Sequence, residues 1–336
     1  MFKQGKILIT GCAGFIGSYL TKRILKDDPE LFVVGVDNIN DYYDVKLKEK
    51  RLEEIEELDG SFKFIKGDIS AKKFIDDLFE EYEPNIVVNL AAQAGVRYSI
   101  DHPDVYIESN VIGFYNILEA IRNHPVKHLI YASSSSVYGG NKKIPFSTDD
   151  KVDNPVSLYA ATKKTNELFA YTYSHLYGIP CTGLRFFTVY GPAGRPDMAY
   201  FSFTNKLINN ETIKIFNYGN CERDFTYIDD IVEGIHRIIE KGPIEQYNLY
   251  NIGNSHPENL MTFVKTLGQC LVDNEVLPKD FKIEEHMELV EMQPGDVPVT
   301  YADTSVLERD YGFKPDTSLK KGLNEFSRWY KKYKGI

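Results

Sequence analysis

The run Lys6–Thr10 is apolar and rich in isoleucine, and it leads directly into Gly11-Cys12-Ala13-Gly14-Phe15-Ile16-Gly17. Apolar positions then recur with a helical period through Lys26. A strand that turns into a helix over three glycines constrains this chain more than any other feature. Glycine permits a tight turn and a close approach of other groups, and the first N–H groups of a helix have no intrahelical partners and favour an anion. The spacing is GxxGxxG where the usual dinucleotide fingerprint is GxGxxG, so the turn alone also reads as a junction that merely needs small residues. The next strand, Phe32–Asp37, tips the reading. It ends in a carboxylate 20 residues past Gly17, where an acid can bond the adenosine ribose hydroxyls of a dinucleotide. The same charge repels a 2′-phosphate and favours NAD over NADP.

Further strand ends extend this site. Asp68-Ile69 follows the strand Phe62–Gly67 and falls where an adenine contact is expected, although Asp68 serves equally well as a helix cap. Leu90-Ala91-Ala92-Gln93 closes the strand Asn85–Leu90 with small residues where backbone must approach a cofactor. Asn38 and Asn110 complete the expected cofactor contacts.

The same alternation continues. His128–Ser133 and Pro180–Phe187 read as strands, and Gly14–Lys26, Lys46–Leu58, Ala71–Glu81, Val111–Arg122 and Leu158–Tyr177 as helices. Strand–helix alternation implies an α/β fold with a doubly wound parallel sheet of the Rossmann type. After Phe187 the pattern loosens into a glycine- and proline-rich loop, a helix over Tyr200–Asn209, a strand over Ile213–Phe216, a helix over Asp229–Lys241 and a strand over Tyr247–Ile252. The expected division is a cofactor domain of residues 1–187, with 226–256 returning to it. A smaller interleaved lobe of 188–225 and 257–336 would cap the carboxyl edge of the sheet, where such sheets bind ligands. The charge-dense helix KLKEKRLEEIEE reads as a solvated face.

With 336 residues, 43% of them hydrophobic, the chain can bury a sizeable core. A formal charge of −10 argues against non-specific binding to nucleic acid or membrane, and an anionic ligand would need a local basic pocket. There is neither an apolar leader nor an apolar run of about 18 residues. Cys12, Cys181, Cys221 and Cys270 are widely spaced, which suits free thiols in a reducing cytoplasm. The scattered histidines offer no metal-binding spacing.

The candidate chemistry lies in Tyr159-Ala160-Ala161-Thr162-Lys163, which puts a phenol and an ammonium at i and i+4 on one helix face. A phenol ionises near pH ~10. A neighbouring ammonium and a positive nicotinamide ring both favour phenolate, which would make Tyr159 a usable base. Lys163 can also bond the nicotinamide ribose. YxxxK alone is weak, but here it follows a dinucleotide turn and a strand end with four serines, Ser133 to Ser136. Ser134 is positioned to bridge a substrate oxygen and Tyr159; turn formation or capping is the plainer use of Ser133 and Ser136.

Together the Gly11–Gly17 turn, Asp37, the Ser134 region and Tyr159/Lys163 resemble the extended short-chain dehydrogenase/reductase family over essentially the whole chain. The stretch from Arg185 to Ala199 (RFFTVYGPAGRPDMA), Ala91–Ser99 (AAQAGVRYS) and Gln293–Val297 (QPGDV) resemble the UDP-glucuronate 4-epimerases within it. Two departures stand out: Ala193, where those epimerases often carry tryptophan, and Gln293, where galactose-type epimerases carry a diphosphate-binding arginine. The resemblance implies 4-epimerisation of a UDP-hexuronate through a 4-keto sugar, with NAD retained, and a homodimer formed through the helices Val111–Arg122 and Leu158–Tyr177.

By the same resemblance Arg223 and Asp296 hold the diphosphate and ribose, Lys214-Ile215-Phe216 line the uracil pocket, and Arg97 and Ser135 also contact substrate. Ser136 stands where related dehydratases and decarboxylases carry an acid, which disfavours elimination. Arg195, with Thr188, offers a planar clamp for a C6 carboxylate; its plainer reading is a salt bridge to Asp197. The alternatives are a 4-epimerase for UDP-glucose or its N-acetylated form, and a non-catalytic NAD sensor on the same fold.

Overall fold

The computed structural model describes residues 5–292 and 296–336; Gln293 lies outside the described residues. In chain order the first half forms β1 (Gly5–Thr10), α1 (Phe15–Asp27), β2 (Leu31–Asp37), α2 (Val45–Glu56), β3 (Ser61–Lys66), α3 (Lys72–Tyr82) and β4 (Ile86–Asn89). Two short helices, α4 (Tyr98–Asp101) and α5 (Pro103–Tyr106), run through a π-helical turn, Ile107–Ile112, into α6 (Gly113–Asn123). Then come β5 (His128–Ser134), α7 (Leu158–Tyr177) and β6 (Cys181–Phe186). The second half contributes β7 (Thr188–Tyr190), α8 (Ala199–Ile208), β8 (Ile213–Ile215), β9 (Glu222–Tyr227), α9 (Ile228–Lys241) and β10 (Tyr247–Ile252). It closes with β11 (Pro257–Asn259), α10 (Leu260–Asp273), β12 (Met287–Leu289), α11 (Ser305–Tyr311) and α12 (Leu319–Lys334).

One seven-stranded sheet in the order β3-β2-β1-β4-β5-β6-β10 organises the fold, and every pairing in it is parallel. Its central strands are apolar on both faces, as a sheet covered on both sides requires. Along β1, Ile7 and Ile9 pack into the core beneath α1, α2 and α9, while Leu8 packs into the opposite core beneath α3, α6 and α7. The strand order reverses direction between β1 and β4, the switch point where ligands bind in such sheets. Residues 228–252 return to the sheet as α9 and β10, and α9 packs on α1.

The remaining strands form two smaller sheets outside it. These are a mixed three-stranded sheet, β11-β9-β7, and the parallel pair β12-β8, backed by α8, α10 and α12. Buried Asp224 of β9 accepts bonds from the backbone amides of Asn254, Ser255 and Ala302 at 2.7–3.1 Å, fastening β9 to the end of β10.

A buried ion pair fixes α7 against the sheet. Arg185 of β6 donates to both oxygens of Glu167 on α7 at 2.7 and 2.9 Å, and Ser133 donates to the same carboxylate at 2.7 Å. Ser157 caps α7 by accepting from the Ala160 amide, and Gly178 ends it in the left-handed conformation. Tyr159 and Lys163 therefore ride on a helix anchored at both ends and in its middle.

The α2 helix departs from its expected solvated face. Lys48 and Arg51 are 5% and 1% exposed. The reason is the helical period: Leu47, Arg51 and Ile55 fall on one stripe, with Lys48 and Leu52 beside it, and that stripe packs inward.

Candidate active site

The glycines of the β1–α1 turn are sterically required. Gly11 has φ +73°, and a β-carbon there would lie 2.8 Å from the Ala91 nitrogen. A β-carbon on Gly17 would lie 2.1 Å from the Gly11 carbonyl oxygen. Gly14 opens α1 without a side-chain cap, and the first turn of α1 holds no acid, so among the described residues no side chain caps its amides. Asp37 accepts from the Ala13 amide at 3.2 Å and the Ile39 amide at 2.9 Å. Burial nonetheless raises its pKa above the ordinary carboxylate range.

Gly11, Gly14, Phe15, Ile16 and Gly17 border one cavity of about 250 Å³, together with Asp37, Asn38, Asp68, Ile69 and Leu90 to Gln93. An uncapped helix N-terminus, a close-approach turn and a carboxylate at the end of β2 are the donor and acceptor set that a dinucleotide needs. Asp68 serves two purposes at once. It accepts from Asn38 at 2.8 Å and from the Ser70 amide at 2.8 Å, so it is a turn former that also faces the cavity. Burial pushes its pKa up, but the bonds from Asn38 and Ser70 bring it below the usual value.

Asn110 is placed differently from the expected direct cofactor contact. It is 1% exposed and does not border the cavity. From the π-helical turn its side chain accepts from the Gln93 amide at 2.8 Å and donates to the Gln93 carbonyl at 3.0 Å and to Thr162 at 3.0 Å. It pins the end of β4 to α7, and Ser109 beside it reaches the cavity instead.

The same cavity extends to Ser134, Tyr159 and Lys163. Ser134 accepts from the Ser136 amide at 3.1 Å, which leaves its hydroxyl hydrogen free to serve Tyr159. Burial raises the Tyr159 pKa, against the lowering effects of the Ser134 hydrogen bond and the Arg195 charge. Lys163 was expected to supply that charge. Its Nζ instead lies 6.0 Å from the Tyr159 ring centre and donates to the Ala132 carbonyl at 3.0 Å, and burial lowers its pKa to about 8.

Arg195 faces this cavity and also makes the plainer salt bridge. Its Nε and Nη2 donate to the two oxygens of Asp197 at 3.0 and 2.6 Å. One edge of the guanidinium is thus occupied, and a substrate carboxylate would have to use the edge that includes Nη1.

Of the other expected substrate residues, Ser135, Thr188, Arg223 and Asp296 border a second cavity of about 190 Å³, together with Ser136 and Thr300 among others. Strand alternation separates the two spaces: Phe187 and Val189 face the first, and Thr188 the second. Arg97 donates to Asp296 at 2.9 Å and its guanidinium carbon lies 5.0 Å from the centre of the Phe216 ring. Arg223 donates to the carbonyls of Glu222 and Pro298 at 3.0 and 3.1 Å. Lys214 points to solvent and the Ile215 side chain is buried in the core, so neither side chain borders these cavities.

Residues outside the expected set also border the first cavity: Asn40, Tyr42, Tyr43, Lys48, Ser109 and Met198. Tyr42 donates to Asp197 at 3.3 Å, and so joins the loop after β2 to the Arg195 pair. For Lys48 the signal lay in the helical stripe of α2. For the tyrosines of the 38–44 loop no local periodicity marks them, and only the fold of the loop brings them over the cavity.

A sheet of this order, with its glycine turn and its Ser/Tyr/Lys group on one cavity, defines the extended short-chain dehydrogenase/reductase class. Within that class the chain belongs to the GDP-mannose 4,6 dehydratase family, whose model matches residues 8–326. It is 51% identical to Protein CapI of Staphylococcus aureus, over 98% of this chain and 99% of that protein. It is 43% identical to a probable UDP-glucuronate 4-epimerase of Rhizobium meliloti, over 97% of this chain and 96% of that one. Among solved structures it resembles the UDP-glucuronic acid 4-epimerase of Bacillus cereus in complex with UDP-glucuronic acid and NAD. There the TM-score is 0.88 at 31% identity, covering 98% of this chain and 99% of that one.

Proposed function

We propose that this protein is an NAD-dependent 4-epimerase that interconverts UDP-glucuronate and UDP-galacturonate through a transient 4-keto sugar. The observation that carries the reading is the single cavity shared by the glycine turn, Asp37, Ser134, Tyr159, Lys163 and Arg195. The relatives named UDP-glucuronate 4-epimerase support the choice of sugar.

NAD, when bound, supplies a reversible hydride acceptor. Asp37 would bond the adenosine ribose, and the amides opening α1 would meet the pyrophosphate. Tyr159 takes the proton of the C4 hydroxyl and later returns it, with Ser134 bonded to the same oxygen. Lys163 would hold the nicotinamide ribose. Arg223, with Asp296 and Arg97, grips the nucleotide, because only the sugar must turn between the two hydride transfers. Ser136, in place of an acid, disfavours elimination at C5.

A 4-keto uronate is a β-keto acid and tends to lose CO2. Arg195, through the edge that Asp197 leaves open, neutralises the C6 carboxylate and opposes that loss. The test is incubation of the purified protein with UDP-glucuronate and no added NAD, followed by separation of the products. Conversion to UDP-galacturonate is expected. Conversion of UDP-glucose at an equal or higher rate would reject the uronate specificity. Arg195→Ala is expected to slow uronate turnover about 10–100-fold and raise the fraction of pentose product; unchanged turnover and product would remove its role.

The same reading includes a cytoplasmic homodimer. The four cysteines are free and buried, as a reducing compartment allows. Among the described residues no helix is long and apolar enough to cross a membrane. Ile112, Tyr115, Leu168 and Tyr171, on the π-helical turn, α6 and α7, are 40–56% exposed. An apolar face of this kind supports a two-fold helical interface.

A further inference from the structure

Arg51 does not border either cavity, yet it is 1% exposed and among the largest fully buried side chains. Its Nη1 donates to the Ala13 carbonyl in the glycine turn at 2.9 Å and to the Tyr43 hydroxyl at 2.7 Å. Its Nε and Nη2 donate to the Ala193 carbonyl at 3.1 and 2.7 Å, and Nη2 also reaches the Gly194 carbonyl at 3.2 Å. One guanidinium therefore joins the cofactor turn to the loop that carries Arg195.

That loop has reason to need a tie. Ala193 sits at φ +50°, in the left-handed region that a β-carbon disfavours. A strained residue of this kind persists only where its surroundings hold it. Arg51 places two of its bonds on the carbonyl of that same residue. A second tie comes from α1, where the Tyr19 hydroxyl donates to the Pro192 carbonyl at 3.0 Å. On the far side, Asp197 and Tyr42 fix the Arg195 side chain. A lysine could not replace Arg51, because an ammonium lacks the planar fork that reaches carbonyls on two segments at once.

We infer that Arg51 is a positioning residue that makes the glycine turn and the Arg195 loop one mechanical unit, so that occupancy of the turn orders the guanidinium facing the sugar. Its catalytic part rests on the epimerase reading above; its mechanical part does not. The test compares wild type, Arg51→Lys and Arg51→Met by amide hydrogen exchange of residues 191–198, after bound NAD is stripped from each protein and again after NAD is restored. The kinetics of UDP-glucuronate turnover are measured alongside.

In wild type, NAD is expected to slow exchange in 191–198 at least about 10-fold; in Arg51→Lys the effect falls below about 2-fold while the β1, β4 and β5 peptides stay protected. Turnover falls about 10–100-fold with KM changed less than about 3-fold, and the pentose fraction rises. Arg51→Lys keeps the charge and one bond, so it reports on the coupling if Arg51→Met fails to fold. NAD-dependent protection of 191–198 that survives in Arg51→Lys would overturn the inference, as would a loss of protection spread evenly over the sheet. Lost coupling in a protein whose wild type does not turn over UDP-glucuronate would support the inference and reject the epimerase reading.

Discussion

Lys163 shows how catalytic placement opposes stability at a single residue. The residue is 3% exposed, and among the described residues its ammonium donates to the Ala132 carbonyl. Burial lowers its pKa from 10.5 to about 8. A base with a depressed folded-state pKa binds its proton less tightly folded than unfolded. The cost to stability is therefore full below about pH 8 and fades as pH rises toward the unfolded value of ~10.4. Lys163→Met should then raise stability by on the order of 1–3 kcal/mol, after subtracting the lost hydrogen bond, and by less as pH climbs from 8 to 10. Thermal melts across that range check it; a variant less stable than wild type at pH 7 would contradict it. Tyr159 is subject to the same burial, and its effective neighbours are Ser134 and Arg195. The i, i+4 spacing foretold which residues share a face, but not that the Lys163 ammonium would turn to a carbonyl.

At the scale of elements, α7 is held by a pair that sequence spacing did not reveal. Glu167 and Arg185 are 1% exposed and lie on a helix and a strand that meet only in the folded sheet. Burial raises the Glu167 pKa, but the Arg185 bonds and charge carry it below the ordinary value. A depressed carboxylate pKa contributes stability that is present above the unfolded value of ~4.3 and is lost on acidification through the folded one. Glu167→Leu leaves the Arg185 charge buried without compensation. A loss of about 3–5 kcal/mol at pH 7 is expected from chemical denaturation, with a smaller difference below about pH 4. A loss under about 1 kcal/mol at pH 7 would show that Tyr138, which accepts from Arg185 at 3.0 Å, suffices for it. α2 carries the complementary lesson. Its charges read as solvent-facing by composition, whereas its period placed Arg51 between Leu47 and Ile55 on the inward stripe.

For the whole molecule, the proposed dimer face covers side chains that the monomer leaves in water. Leu168 and Tyr171 lie on α7 at 54% and 56% exposure, on the helix that carries Tyr159 and Lys163. Tyr171→Glu is expected to convert a sedimenting dimer to monomer, because a carboxylate at the centre of an apolar interface loses its water without gaining a partner. Wild type that sediments only as monomer at micromolar concentration would reject the interface.

The sequence by itself determined the sheet, the glycine turn and the helix bearing Tyr159 and Lys163, because period, β-branched runs and glycine sterics act over a few residues. It also indicated Asp37 and the serines at the end of β5, since a strand end fixes which residues reach the crevice. The tertiary structure decided the rest. It put Asn110 on Gln93 instead of at the cavity wall, folded Tyr42 and Tyr43 over the cavity, and gave Arg195 a partner on one edge of its guanidinium. It also set Arg51 between two segments more than a hundred residues apart in the chain. Buried charges are placed by whichever distant backbone and side-chain groups the fold delivers, and local periodicity holds no record of those partners.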